Sequence, residues 1–104
     1  MSYEEAIALL HSANVAAQNA IGPVKGCGGG YCGMSAVLIR DGRHPFVRHL
    51  RAARIGQAGH PGWIVSPDIS GDIQNIVVLE AASRAMAGVL ESAGIRTHIK
   101  IWPD

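Results

Sequence analysis

The chain is short of everything that would assign it at once to a specialised class. Of its 104 residues only two are cysteines, charged residues make up 16%, and the formal net charge is +1. Two cysteines are too few for the disulfide framework of a small secreted domain, and read as thiols. A net charge so near zero excludes bulk electrostatic attraction to nucleic acid or to an anionic membrane, so any such binding would have to be local. The longest apolar runs, Ala36 to Ile39 and Ile76 to Leu79, fall far short of the roughly 20 residues of a membrane-spanning helix. The start, Met1-Ser2-Tyr3-Glu4-Glu5, has neither the basic segment nor the apolar segment of a secretory signal, which makes the cytoplasm the expected compartment.

What is present is a globular composition, 48% hydrophobic, in a length typical of one domain. One α+β domain over residues 1–104 is expected. Ser2 and Glu5 have the spacing of a capping box, and Ala6, Ile7, Leu10, Ala13, Ala17 and Ile21 recur at helical spacing, which predicts a first helix from Tyr3 to Ala20. Gly22, Pro23 and the glycines between Gly26 and Gly33 cannot sustain it and predict a loop. Ser35 to Arg40 reads as a buried strand ended by Asp41-Gly42. Pro45 can open a second helix, with Phe46, Val47, Leu50 and Ile55 as its apolar stripe up to Gly56. Gln57 to Gly62 is predicted as loop, and Trp63 to Val65 as a short strand. A third helix is predicted behind Asp72 as cap, with Ile76, Leu79, Met86, Leu90 and Ala93 on one side and Gly94 closing it. Arg96 to Trp102 alternates like a half-buried strand. The order is α-β-α-β-α-β, and the expected architecture is a three-stranded sheet with helices mainly on one face.

Three patterns could carry chemistry. Cys27, Cys32, His44 and His49 are spaced C-x4-C-x11-H-x4-H, close to a two-cysteine, two-histidine zinc site. Against it, His44 precedes Pro45, which disfavours the helical backbone a finger histidine needs. The plainer reading is two thiols and two surface histidines. Gly28, Gly30 and Gly33 match G-x-G-x-x-G, but they lead from a helix into a strand, the reverse of the dinucleotide fingerprint. Cys27 or Cys32 could be a nucleophile only beside a base such as His44, His49, His60 or His98, and nothing in the sequence pairs them.

The remaining signal is positive charge. Arg40, Arg43, Arg48, Arg51 and Arg54 lie within fifteen positions that hold Asp41 as their single acid. Arg48, Arg51 and Arg54 follow at i, i+3 and i+6, one side of the predicted second helix, a face suited to phosphates or to an acidic protein surface. The alternative is an ordinary solvated face. Arg43, Arg48, Arg51 and Arg54 are the expected partner-binding residues, and no cofactor is implied.

From Cys32 onward, Cys32-Gly33, Val37-Leu38-Ile39-Arg40, Gly42, Phe46, Arg48 and Leu50 form spaced patches. Gly62, Ile64-Val65, Gln74, Glu80-Ala81, Val89-Leu90, Gly94-Ile95 and Asp104 continue them. In these residues the chain resembles small proteins encoded by tailed phages and prophages. It departs from them at Met34-Ser35-Ala36, where aromatic residues are usual, and in carrying Cys27, His44 and His49. The resemblance implies a phage-type setting and a fold, and transfers no catalytic residue. The expected function is that of a non-enzymatic accessory protein that binds a macromolecular partner, a host or phage protein before a nucleic acid. A zinc module and a cysteine enzyme are its rivals. A homodimer is expected, because the third helix has Val77, Val78 and Val89 off its main face and a strip of small residues at Ala81, Ala85 and Gly88. Trp63 and Trp102 would also be poorly covered in a domain of this size.

Overall fold

A computed structural model describes residues 1–21, 33–59, 61–68 and 76–103. The elements run α1 (Tyr3–Ile21), β1 (Gly33–Ile39), α2 (Pro45–Ala52), β2 (Gln57–Ala58), β3 (Trp63–Val65), α3 (Ile76–Ser92) and β4 (His98–Pro103). The sheet order is β2-β3-β1-β4, antiparallel throughout. The α+β class stands, but the sheet has four strands and not three. The extra strand is Gln57–Ala58, in the segment predicted as loop. It pairs Gln57 with Ile64 and Ala58 with Trp63, and two residues carry no periodicity by which a sequence could announce them.

The first helix starts as its capping box requires. The Ser2 N–H donates to Glu5 Oε1 at 3.0 Å and the Glu5 N–H to Ser2 Oγ at 3.1 Å. The Ser2 N–H bond is the main reason the Glu5 carboxyl sits below its ordinary range, with the hydroxyl bond and the N-terminal charge adding to it. Ala6, Leu10, Ala13, Ala17 and Ile21 are buried, and this face packs on α3. In turn α3 packs on β1 and β4, so the layers run sheet, α3, α1.

On α3 the buried set is Ile76, Val78, Ala82, Ser83, Met86, Ala87 and Leu90: of the expected face Ile76, Met86 and Leu90 are buried, Leu79 is half-buried and Ala93 is exposed. Covered by the sheet and by α1 together, α3 buries a wide arc that includes Val78, while Val77 stays 47% exposed. The Asp72 cap lies outside the described residues. The far end of α3 closes as expected, with Gly94 at φ +85°. The Ile95 N–H reaches the Leu90 carbonyl at 3.0 Å, and both side chains are buried, the pairing of a Schellman motif. Beyond it Thr97 gives its N–H, at 2.8 Å, and its hydroxyl, at 2.9 Å, to Glu91 Oε1. These two bonds, the N–H first, hold the Glu91 carboxyl below its ordinary range.

Cα partners share a face of the sheet, so Val37, Ile39, Val65, Trp63 and Ile99 look inward. Ala36, Leu38 and Ile64 form a second buried cluster on the outer face. The loop at Gly59 lies over it, where an added Cβ would stand 3.0 Å from Leu38 Cδ1 and 3.1 Å from Ile64 Cγ1. Trp63 is buried, against the expectation that both tryptophans are poorly covered, while Trp102 on the β4 edge is 39% exposed. Among the described residues no helix is long and apolar enough to cross a membrane.

Candidate functional site

The arginines sit where β1 turns into α2. Past Ile39 the chain reverses through Asp41, whose Oδ1 accepts the Arg43 N–H at 3.1 Å, and the Asp41 carbonyl accepts the His44 N–H at 3.2 Å. His44 has ψ 138°, the extended backbone expected before Pro45. It acts as the N-cap of α2, with Nδ1 accepting the Phe46 N–H at 3.1 Å. Phe46, Val47 and Leu50 are fully buried, which fixes the helix on the core and leaves Arg48, Arg51 and Ala52 outside.

The helix ends four residues before Gly56. The Ile55 N–H bonds the Leu50 carbonyl at 2.9 Å and the Arg54 N–H the Arg51 carbonyl at 3.2 Å, a Schellman closure with Arg54 itself at φ 60°. Arg54 therefore lies past the helix in the left-handed position usually given to glycine, and the expected Arg48-Arg51-Arg54 face is corrected. Gly56 serves another contact. At φ +91°, an added Cβ there would stand 2.5 Å from Trp63 Nε1 and from the Ile64 carbonyl.

Arg43, Arg48 and Arg51, with Gly42 and Ala52, line a shallow depression of about 570 Å³. Arg43 comes from the turn and the other two from successive turns of α2, so the structure joins three of the four expected residues and leaves out Arg54. Behind the depression stands Trp63. Its Nε1–H donates to the Ile55 carbonyl at 2.8 Å, and the Arg51 guanidinium carbon lies over its ring, 5.0 Å from the centroid. Among the described residues the single carboxylate–cation pair is Glu80 with Arg84, at 3.5 Å, so no carboxylate neutralises the three guanidiniums. Sequence reasoning missed Gly42 and Trp63. Gly42 could have been weighed as a turn residue between arginines, but the approach of Trp63 to Arg51 is a long-range packing result with no local signal.

The zinc pattern is not assembled among the described residues. Cys27 and Cys32 lie outside them, and the two histidines are engaged apart from each other. His44 caps α2 through Nδ1, while His49 Nε2 is 2.9 Å from the Met1 carbonyl and its ring meets Tyr3 edge-on, centroids 6.0 Å apart. Gly28 and Gly30 also lie outside the described residues, and Gly33 opens β1. Of the histidines named as bases, His60 is outside and His98 is exposed on β4. No protein-family model, curated protein or solved structure matches the chain.

Proposed function

We propose that this is a non-enzymatic accessory protein of the phage type, which binds a macromolecular partner through the arginine-lined depression. The observation that carries the reading is the convergence of Arg43, Arg48 and Arg51 on one concavity with no carboxylate among the described residues paired to them. Unpaired guanidiniums on a rigid element add little to folding and much to association. The partner class is a protein with an anionic surface. A nucleic acid is the less favoured partner, because a net charge of +1 and a single basic bowl do not make the extended basic stripe that tracks a phosphate backbone. The test is affinity capture by the wild type and by the Arg43→Glu, Arg48→Glu double variant, with circular dichroism as the check on folding. A protein retained by the wild type and lost from the folded variant is expected. Retention equal in both, or capture of nucleic acid alone, overturns the reading.

We further propose a homodimer. Of the α3 residues that suggested one, Val78 is buried, Ala81, Ala85 and Val89 are half-buried, and Val77 and Gly88 are exposed; further support comes from β4, a six-residue edge strand on which Ile101 and Trp102 are 38% and 39% exposed. An unpaired edge carrying exposed apolar side chains is a template for strand pairing between copies. Light scattering coupled to size exclusion at micromolar concentration gives about twice 10.9 kDa for the dimer, and 10.9 kDa throughout the peak refutes it.

A further inference from the structure

We propose that the depression formed by Gly42, Arg43, Arg48 and Arg51 takes a phosphoryl group, the dianionic end of a phosphate monoester. The inference rests on the reading that this surface binds a partner, and names the chemistry it recognises. Each guanidinium presents five N–H donors in a fixed fork. Three forks around one bowl offer more donors than the two oxygens of a carboxylate can accept, whereas a phosphoryl group brings three terminal oxygens and a charge of about −1.5 to −2. The one acid of the turn, Asp41, does not line the depression, and its Oδ1 accepts the Arg43 backbone N–H.

Preorganisation points the same way. Arg51 is held over Trp63, and Trp63 is itself tied to the Ile55 carbonyl, so this fork is positioned before any ligand arrives. Gly42 lines the depression beside Arg51. A Cβ built on it would stand 3.6 Å from Arg51 Nη2. The depression, about 570 Å³ and open to solvent, leaves room for a phosphoryl group together with part of the body that carries it. Two sources share that chemistry: a phosphorylated side chain of a protein and a free small-molecule monoester.

The experiment is titration of the full chain with a labelled phosphoserine peptide, the same peptide with glutamate in its place, and phenyl phosphate. Saturable binding of the phosphopeptide is expected, at least about tenfold tighter than the glutamate peptide. Arg48→Ala and Gly42→Glu should each weaken it by about tenfold or more, the second by placing a carboxylate beside Arg51 without removing an arginine. Gly42 lies outside the left-handed φ region, so its backbone accepts a side chain, and Arg48→Ala decides the matter if Gly42→Glu fails to fold. Either ranking of the two sources supports the phosphoryl site: phenyl phosphate equal to the phosphopeptide identifies a small monoester, and a much tighter phosphopeptide identifies a protein segment. Equal affinity for the glutamate and phosphoserine peptides overturns the phosphoryl inference and leaves the partner-binding reading standing. Absence of saturable phosphopeptide binding, or binding that both variants keep, also overturns it. The partner-binding reading fails separately, when capture is indifferent to Arg43→Glu with Arg48→Glu.

Discussion

Arg51 lies over the face of Trp63, its guanidinium carbon 5.0 Å from the ring centroid, while the edge of the same indole is hydrogen-bonded to the Ile55 carbonyl. One arginine of the depression is thus part of the fold, and its neighbour Arg48 is not. Arg51→Ala should cost about 0.5–1 kcal/mol, the worth of an exposed cation–π contact, or about 2–8 °C in Tm for a domain of this size. Arg48→Ala should stay within about 0.5 kcal/mol of wild type, as exposed substitutions do. Chemical denaturation of the two variants checks this, and equal stability would remove the structural role given to Arg51. The same asymmetry makes Arg43 and Arg48, rather than Arg48 and Arg51, the clean pair for reversing charge.

Two glycines share a positive φ and differ in their surroundings. At Gly62, φ +92°, an added Cβ would collide with the Ile39 carbonyl oxygen and stand 2.8 Å from Arg40 Cα, backbone atoms at the end of β1 and just beyond it. At Gly94, φ +85°, nothing lies within 4 Å. Gly94→Ala should therefore cost only the left-handed penalty, about 1–2 kcal/mol. Gly62→Ala should cost more than about 3 kcal/mol, since the backbone at the end of β1 must move. Urea unfolding of both variants measures the difference, and comparable losses would contradict the packing described at Gly62.

Arg54 occupies the left-handed closing position of α2 at φ 60°. Removing the steric cost there is worth about 1–2 kcal/mol and the added freedom of the unfolded glycine chain costs about 0.5–1 kcal/mol. Arg54→Gly should thus stabilise the protein by roughly 0.5–1 kcal/mol. Because Arg54 does not line the depression, partner binding should change by less than about twofold, under half a kcal/mol. Calorimetry and a binding titration on this one variant test both statements; destabilisation would count against the closure, and lost binding would return Arg54 to the site.

What the sequence disclosed followed local chemistry. The Ser2–Glu5 box, the buried stripe from Ala6 to Ile21, Pro45 at the start of α2 and Gly94 after α3 are each decided within a few residues, and each is found in the structure. What it concealed depended on distant chain. Gln57–Ala58 is a strand only because Trp63 and Ile64 lie beside it, and α3 buries more than one face because both the sheet and α1 pack on it. The arginine cluster was legible as composition, but its membership was not. Helical spacing placed Arg54 with Arg48 and Arg51, and the bond from Ile55 to the Leu50 carbonyl ends the helix before Arg54 can join them.

The histidine contacts bear on the zinc alternative. His44 Nδ1 accepts the Phe46 N–H, so a metal on either nitrogen of that ring would cost α2 its N-cap, by taking Nδ1 or by moving the ring proton onto it; His49, with Nε2 at the Met1 carbonyl, keeps Nδ1 for a ligand. Protein purified without chelator should carry no stoichiometric zinc, and both Cys27 and Cys32 should alkylate after mild reduction. About one zinc per chain by elemental analysis, lost together with the fold on chelation, would contradict this.

The central claim is that the depression, and not the overall charge, carries recognition. Affinity capture with three baits tests it: wild type, the Arg43→Glu, Arg48→Glu variant, and a charge-matched Arg84→Glu, Arg96→Glu variant whose altered residues are exposed and do not line the depression. Both variants change the formal charge equally, and any effect of charge alone acts on both. The account predicts that the partner is retained by the wild type and by the Arg84, Arg96 variant, and lost from the Arg43, Arg48 variant. Equal loss from both variants, or equal retention by all three baits, would contradict it.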